Sequence, residues 1–280
     1  MEENVRIAVV GEVDHGKSTI VGHMLYDLGA LPDEKVSAIR SYCERNARPF
    51  EYAYILDAFS EEQSQGITID AARCFFHTGK RRYTLIDTPG HSEFMKNMVT
   101  GASSAHIALM VIDAAAGICK KTEKYTYLLS MVGIEKLIVL VNKMDQVGYN
   151  EDRFTALAGE YSAFLEGLEL HCSAMIPVSG YQGDNLVRKS SAMPWYTGRT
   201  LVEALDGISL EFTGTAGPLR IPVQGVYKFT EYGDERRIIC GTVISGKIRA
   251  GDKLVFYPSG KEAAVRELAG YPSAPEEYAE

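Results

Sequence analysis

At 280 residues, 46% apolar and with a formal net charge of −8, the chain has the make-up of a globular protein of one large or two modest domains. The negative balance argues against nonspecific nucleic-acid binding, although a few positioned basic residues would suffice for a local nucleic-acid surface. No run approaches the ~20 apolar residues of a membrane span, and the acidic start Met1-Glu2-Glu3-Asn4 leads straight into a strand, unlike a signal peptide.

Cys43, Cys74, Cys119, Cys172 and Cys240 form no C-x-x-C pair and no zinc spacing. They read as small hydrophobes of a reducing, cytoplasmic protein.

In chain order, the apolar run ending at Val10 reads as a buried strand (Arg6–Val10) and Lys17–Leu28 as a helix. Between them runs Gly11-Glu12-Val13-Asp14-His15-Gly16-Lys17-Ser18-Thr19. Glycines at both ends of this turn let the backbone curl round an anion and aim its N–H groups inward. Lys17 can reach the β- and γ-phosphates of a nucleotide, and the Ser18 hydroxyl can ligate Mg²⁺. Val13, Asp14, His15, Gly16, Lys17, Ser18 and Thr19 are therefore the candidate phosphate-binding residues. Alone, a glycine-rich strand-to-helix turn could be purely structural.

Residues 31–65 form a long insert, helical over Val36–Arg45 and rich in aromatic and apolar residues (Tyr42, Phe50, Tyr52, Tyr54, Ile55, Leu56, Phe59). Strands are predicted at Ala72–His77 and Tyr83–Ile86, with Lys80-Arg81-Arg82 as the hairpin turn between them. Asp87-Thr88-Pro89-Gly90-His91 follows. A carboxylate at the carboxyl end of a strand beside a phosphate loop is placed to hold Mg²⁺ through its water shell, and Gly90 lets an N–H approach a γ-phosphate. The other reading of that segment is a Pro-Gly turn with an N-capping Asp.

Helices Ser92–Thr100, Lys121–Val132 and Glu151–Glu166 alternate with strands Ile107–Asp113, Lys136–Val141 and Cys172–Val178. This alternation predicts an α/β sheet with helices on both faces. After the Lys136–Val141 strand comes Asn142-Lys143-Met144-Asp145. The Asp145 carboxylate can accept two hydrogen bonds from guanine N1–H and its amine, and adenine presents the wrong donors. Asn142 can tie the loop to the phosphate loop, and the Lys143 stem can cover the base. Pro177-Val178-Ser179-Gly180 offers backbone N–H groups to guanine O6, which makes Ser179 and Gly180 the remaining guanine-binding candidates.

Past Leu205 the texture changes. Residues 211–218 read as a linker. Short β-type runs follow at Ile221–Phe229, Arg236–Ile244, Lys253–Tyr257 and Glu262–Leu268, with Gly and Pro between them, the pattern of a small antiparallel barrel.

Together these motifs resemble the translation-factor GTPases over nearly the whole chain. The resemblance implies a P-loop α/β/α GTPase domain over 1–210 and, over 219–280, the first part of a β-barrel whose further strands lie beyond Glu280. It implies that Glu61–Asp70 is switch I, with Thr68 as a Mg²⁺ ligand beside Ser18 and Asp87. It also implies that Val13 and Ile67 flank the path of the attacking water, that His91 orients that water, and that Asp14 is suited to hold a monovalent cation. His91 and Lys17 are the catalytic candidates for GTP hydrolysis to GDP and phosphate, with Mg²⁺ as cofactor. No arginine finger is legible, which implies a slow intrinsic rate and a partner that completes the site.

Within the family, the long insert, Gly183-Asp184-Asn185 and Met193-Pro194-Trp195-Tyr196 resemble elongation factor 1-alpha and its relatives. Tyr125–Ser130, Tyr161–Leu165 and Pro258-Ser259-Gly260 resemble the GTPase subunit of bacterial sulfate adenylyltransferase. Asp14-His15-Gly16 is nearer to elongation factor Tu. The expectation is a GTPase subunit coupled to a sulfate-adenylating catalytic partner. The alternative is an elongation factor delivering aminoacyl-tRNA to the ribosome, and a third reading is a nucleotide-dependent binding module with negligible turnover.

Overall fold

The computed structural model describes residues 4–30, 33–46, 50–55, 73–87, 95–134, 136–168, 170–209, 217–227, 237–268 and 278–279. The chain divides into two compact units, Met1–Ile208 and Ser209–Glu280.

In the first unit, β1 (Asn4–Gly11), β2 (Arg73–His77), β3 (Arg82–Asp87), β4 (Ile107–Asp113), β5 (Lys136–Asn142) and β6 (His171–Pro177) form one sheet of order β2-β3-β1-β4-β5-β6. All neighbours are parallel except β2, which returns antiparallel on β3 through a tight turn. The sequence gives no room for a crossover between β2 and β3, whereas every other adjacent pair is separated by helical stretches.

Every residue of β4 is buried, and β1 and β5 are nearly so. That is why these strands read as continuous apolar runs: a parallel strand covered on both faces has no solvent side. The sheet reverses its winding at β1, with β3 on one side and β4 on the other. A crevice therefore opens at the carboxyl end of β1, the usual place for a ligand in such sheets.

Among the described residues the α-helices are α1 (Lys17–Asp27), α2 (Asp33–Arg45), α3 (Met95–Ala102), α4 (Lys120–Met131), α5 (Glu151–Leu165) and α6 (Leu201–Gly207). Met98 and Ala102 of α3, Tyr125 and Leu129 of α4, and Tyr161 and Leu165 of α5 pack on one face, against Ala8, Val10, Met110, Ile112 and Val139. Alternation along β1 turns Ile7 and Val9 the other way. Helices α1 and α6 touch β1 and β6 and contribute nothing to that cluster. The Tyr161 hydroxyl is buried 2.6 Å from the Thr126 hydroxyl, which in turn donates to the Thr122 carbonyl at 2.8 Å, so the buried phenol is satisfied.

The end of the unit is tied down. The Thr78 and Tyr83 hydroxyls each donate to Asp206 Oδ1 at 2.7 Å, and Arg81 Nη1 donates to the Ile208 carbonyl at 2.6 Å. Helix α6 starts in a capping box: Thr200 Oγ1 accepts from the Glu203 N–H and Glu203 returns a carboxylate to the Thr200 N–H.

In the second unit, β7 (Val223–Tyr227) pairs with β8 (Ile238–Gly241), β9 (Ile248–Arg249) with β12 (Tyr278–Ala279), and β10 (Lys253–Phe256) with β11 (Lys261–Ala264). Every pairing is antiparallel, and each forms a two-stranded ladder among the described residues. No helix among them is long and apolar enough to cross a membrane.

Candidate functional site

The phosphate-loop candidates cap β1. Gly11 leaves the strand where the Val111 carbonyl lies so close that an added Cβ would come within 2.6 Å of its oxygen. Asp14 and Gly16 take the left-handed conformation, with φ of 63° and 87°, and Gly16 O accepts from the Ile20 N–H at 2.9 Å to open α1. No side chain caps α1 and its first turn carries no acid. Its end is thus the positive terminus of a helix dipole with N–H groups turned into the loop, an arrangement suited to an anion. Ser18 and Thr19 sit half-buried in this first turn.

Lys17 is buried, and its Nζ donates to the carbonyls of Gly11 at 2.8 Å and Glu12 at 2.9 Å. The ammonium therefore arches over its own loop. Burial pushes its pKa down, opposed by the carboxylates of Asp87, Asp14 and Glu12. Glu12 is held below the ordinary carboxyl range by the Cys119 thiol, 3.0 Å away, and by Lys121, at 2.5 Å. His15 is buried, with Nδ1 3.1 Å from the Val111 carbonyl.

Asp87 stands at the carboxyl end of β3, in register with Val9, and its Oδ1 is buried. With the Ser18 hydroxyl it makes a set of hard oxygen donors flanking the phosphate loop, which fits Mg²⁺ and not a softer metal. Thr68 and Ile67 lie outside the described residues, as do Gly90 and His91.

The base-recognition candidates converge on the same loop from β5 and β6. Asn142 ends β5, and its side chain spans two loops: Nδ2 donates to the His15 carbonyl at 2.7 Å and Oδ1 accepts from the Gly180 N–H at 2.8 Å. Lys143 is left-handed, with φ of 62°, and starts a tight turn over Met144–Val147. In that turn Asp145 Oδ1 accepts from the Ser179 hydroxyl at 2.6 Å.

Two segments make contacts within the protein here that the motifs do not show. The Ser179 and Gly180 N–H groups, expected to face guanine O6, are engaged within the protein. The first donates to the Asp184 carbonyl at 3.4 Å and the second to Asn142. What this segment supplies is the Ser179 hydroxyl that orients Asp145. Lys143, whose stem is expected to cover a base, pairs its ammonium with Asp113 Oδ2 at 2.7 Å.

Asp113 was hidden at the end of an apolar run. Its Oδ1 also accepts from the N–H groups of Ala115 and Ala116 at 2.7 and 3.2 Å. Burial alone would raise its carboxyl, but Lys143 and these two N–H groups outweigh burial and hold it below the usual range. Asn185, buried and left-handed at φ 58°, braces the other side by donating to the Pro177 carbonyl at 2.9 Å. The Tyr149 hydroxyl donates to Asp184 at 3.1 Å, and burial, reinforced by that carboxylate, pushes the phenol up to about 12. His23, on α1, meets the Gly180 carbonyl at 2.8 Å.

Known proteins resemble this chain over most of its length. The family profile described as the elongation factor Tu GTP binding domain matches residues 2–210. Elongation factor 1-alpha of Pyrococcus furiosus is 41% identical over 256 residues, covering 91% of this chain and 59% of that protein. The same factor from Archaeoglobus fulgidus is 39% identical over 270 residues, covering 95% and 63%. The chain thus spans about three fifths of the length of these relatives. The bacterial selenocysteine-specific elongation factor shares the fold at a TM-score of 0.60 and 24% identity, covering 100% of this chain and 40% of that one. The glycine-rich loop, the Asn142 bridge and the profile match over residues 2–210 lead to one assignment: the chain belongs to the family of the elongation factor Tu GTP-binding domain.

Proposed function

We infer that the chain binds GTP with Mg²⁺ and hydrolyses it as a molecular switch of the elongation factor 1-alpha type. The observation that carries this is Asn142, which joins a phosphate-binding turn to the loop that holds Asp145. One side chain thereby fixes the distance between a triphosphate cradle and a guanine-selective carboxylate.

In this reading Lys17 and the N–H groups from Val13 to Thr19 neutralise charge that develops on the transferred phosphoryl group. Ser18, Asp87 and Thr68 would hold Mg²⁺, which supplies further charge stabilisation when bound. Asp14 is the group suited to a monovalent cation. Asp145 accepts from guanine, and the Lys143 stem lies beside the base. Gly90 approaches the γ-phosphate, and His91 orients the attacking water. His91→Ala should leave GTP binding nearly intact and slow single-turnover hydrolysis at least ~10-fold. A collapse of binding would make His91 structural.

Relatives at 39–41% identity are elongation factors 1-alpha, which favours translation, with aminoacyl-tRNA and the ribosome as partners. The sulfate-adenylation reading, first drawn from Tyr125–Ser130, Tyr161–Leu165 and Pro258-Ser259-Gly260, has no such support. The domain limits 1–210, 211–218 and 219–280 remain the proposed organisation, as does a cytoplasmic location.

Calorimetry with GDP, GTP and ATP, with and without Mg²⁺, tests the site, and Mg²⁺-independent or ATP-preferring uptake overturns it. Single-turnover hydrolysis with ribosomes, and separately with an ATP sulfurylase catalytic subunit plus ATP and sulfate, tests the partner. Stimulation by the sulfurylase alone would reverse the choice.

A further inference from the structure

The contacts of His23 fall outside the nucleotide machinery yet reach it. A carbonyl oxygen only accepts, so the 2.8 Å contact between His23 Nδ1 and Gly180 O places the ring proton on Nδ1. Gly180 is the residue whose N–H is held by Asn142, and Ile20 packs so tightly beneath it that an added Cβ would lie 2.8 Å from that side chain. Gly183, three residues on, passes so near the imidazole that a Cβ there would lie 2.7 Å from the ring. The face of the ring is taken by Tyr52, stacked at 3.7 Å between centroids and 8° from parallel. The ring is buried between these two segments.

Tyr52 belongs to the insert. Its backbone lies directly on α1, because Gly22 has no side chain: a Cβ there would run into the Tyr52 carbonyl, 2.7 Å from its carbon. Tyr26 and Phe50 meet the Tyr52 ring edge-on at 5.5 and 5.3 Å, and Arg40 of α2 lies 4.8 Å over the Phe50 ring. A continuous set of contacts thus runs from the phosphate loop through Asn142, Gly180 and His23 to Tyr52 and α2.

We propose that His23 is a positioning residue that couples guanine-nucleotide binding to docking of the insert on α1. One edge of its ring fixes the carbonyl of the guanine-side loop. Its face fixes Tyr52, so neither segment can shift without losing a contact to the same side chain. Coupling of this kind is reciprocal: the stabilisation that the insert gains from nucleotide equals the affinity that nucleotide gains from a docked insert. The inference rests on the guanine-nucleotide reading of the site.

The test uses the full chain, GDP with Mg²⁺ as the probe, and two readouts: GDP affinity, and amide hydrogen exchange of residues 50–55 with and without GDP. Wild type is expected to bind GDP and to slow exchange in 50–55 on binding. His23→Phe keeps a ring for Tyr52 and loses the hydrogen bond, and should weaken GDP roughly 10-fold, about one buried hydrogen bond. In His23→Asn the amide nitrogen replaces Nδ1 but Tyr52 loses its ring partner, so GDP affinity should recover from the His23→Phe level to that of Tyr52→Leu, with the GDP-dependent slowing in 50–55 lost. Tyr52→Leu leaves the bond to Gly180 in place. It should abolish the GDP-dependent slowing and weaken GDP by the factor by which GDP protects 50–55 in wild type.

Wild-type GDP affinity in both His23→Phe and Tyr52→Leu, or exchange in 50–55 that ignores GDP in wild type, overturns the coupling and leaves the nucleotide site standing. His23→Asn that binds GDP more weakly than Tyr52→Leu, or that keeps the GDP-dependent slowing in 50–55, overturns the proposal. Wild type that takes up no GDP overturns the site reading and the coupling together.

Discussion

Asn142 is the residue whose removal should do most damage without touching a ligand. Asn142→Ala leaves the His15 carbonyl and the Gly180 N–H without their partner, and each buried orphan costs about 1–3 kcal/mol. Urea unfolding should show a loss of about 2–6 kcal/mol with an unchanged m-value, together with weaker GDP binding. Asp145 should behave differently, because its burden is selectivity. Asp145→Asn turns one acceptor into a donor, so preference should move from guanine to xanthine nucleotides while Ser179 can still hydrogen-bond the amide. Competition of labelled GDP by unlabelled XDP measures the shift, and unchanged guanine selectivity removes Asp145 from base recognition. Neither the His23 contact nor the Asp113–Lys143 pair was legible beforehand. His23 meets a carbonyl 157 positions away, and Asp113 reads as the polar end of a strand. Nothing local marks a partner that only the sheet order brings near.

At the scale of elements, the parallel strands were the most legible parts. In β1, β3, β4 and β5 the apolar runs are largely buried and stop at Gly, Asp or Asn, so expected and observed limits differ by no more than two residues at each end. Helix α6 was not among the expected helices. Its seven residues are too few for a periodic signal, although the Thr200-x-x-Glu203 spacing of a capping box stands in the sequence. The loops after β4 and β5 are joined by the Asp113–Lys143 pair, and this has a pH signature. The folded carboxyl titrates below its unfolded value, so its stabilisation is complete above the unfolded pKa and is lost as pH falls through the folded one. The stability difference between wild type and Asp113→Asn should be constant from pH 5 to 7 and shrink below about pH 4. A difference that grows on acidification contradicts the pairing.

For the whole molecule, burial sorts the cysteines. Cys74 lies in β2 with its thiol pushed up to about 12 by burial, and Cys172 in β6 is pushed to about 11. Both stay protonated at pH 8, and so do not react as thiolates. Cys240, exposed in the second unit, should take iodoacetamide first, as mass spectrometry of the native chain would show, with Cys43 and Cys74 modified only on unfolding. Early loss of the Cys74 thiol would mean that the sheet edge opens readily. The anchoring of Asp206 and Ile208 to the β2–β3 hairpin has a geometric corollary. The segment that leaves the first unit at residue 208 is held by Thr78, Arg81 and Tyr83 as well as by α6. Asp87 is the last residue of that strand. One strand thus has the exit of the first unit tied at its start and the carboxylate beside the phosphate loop at its end.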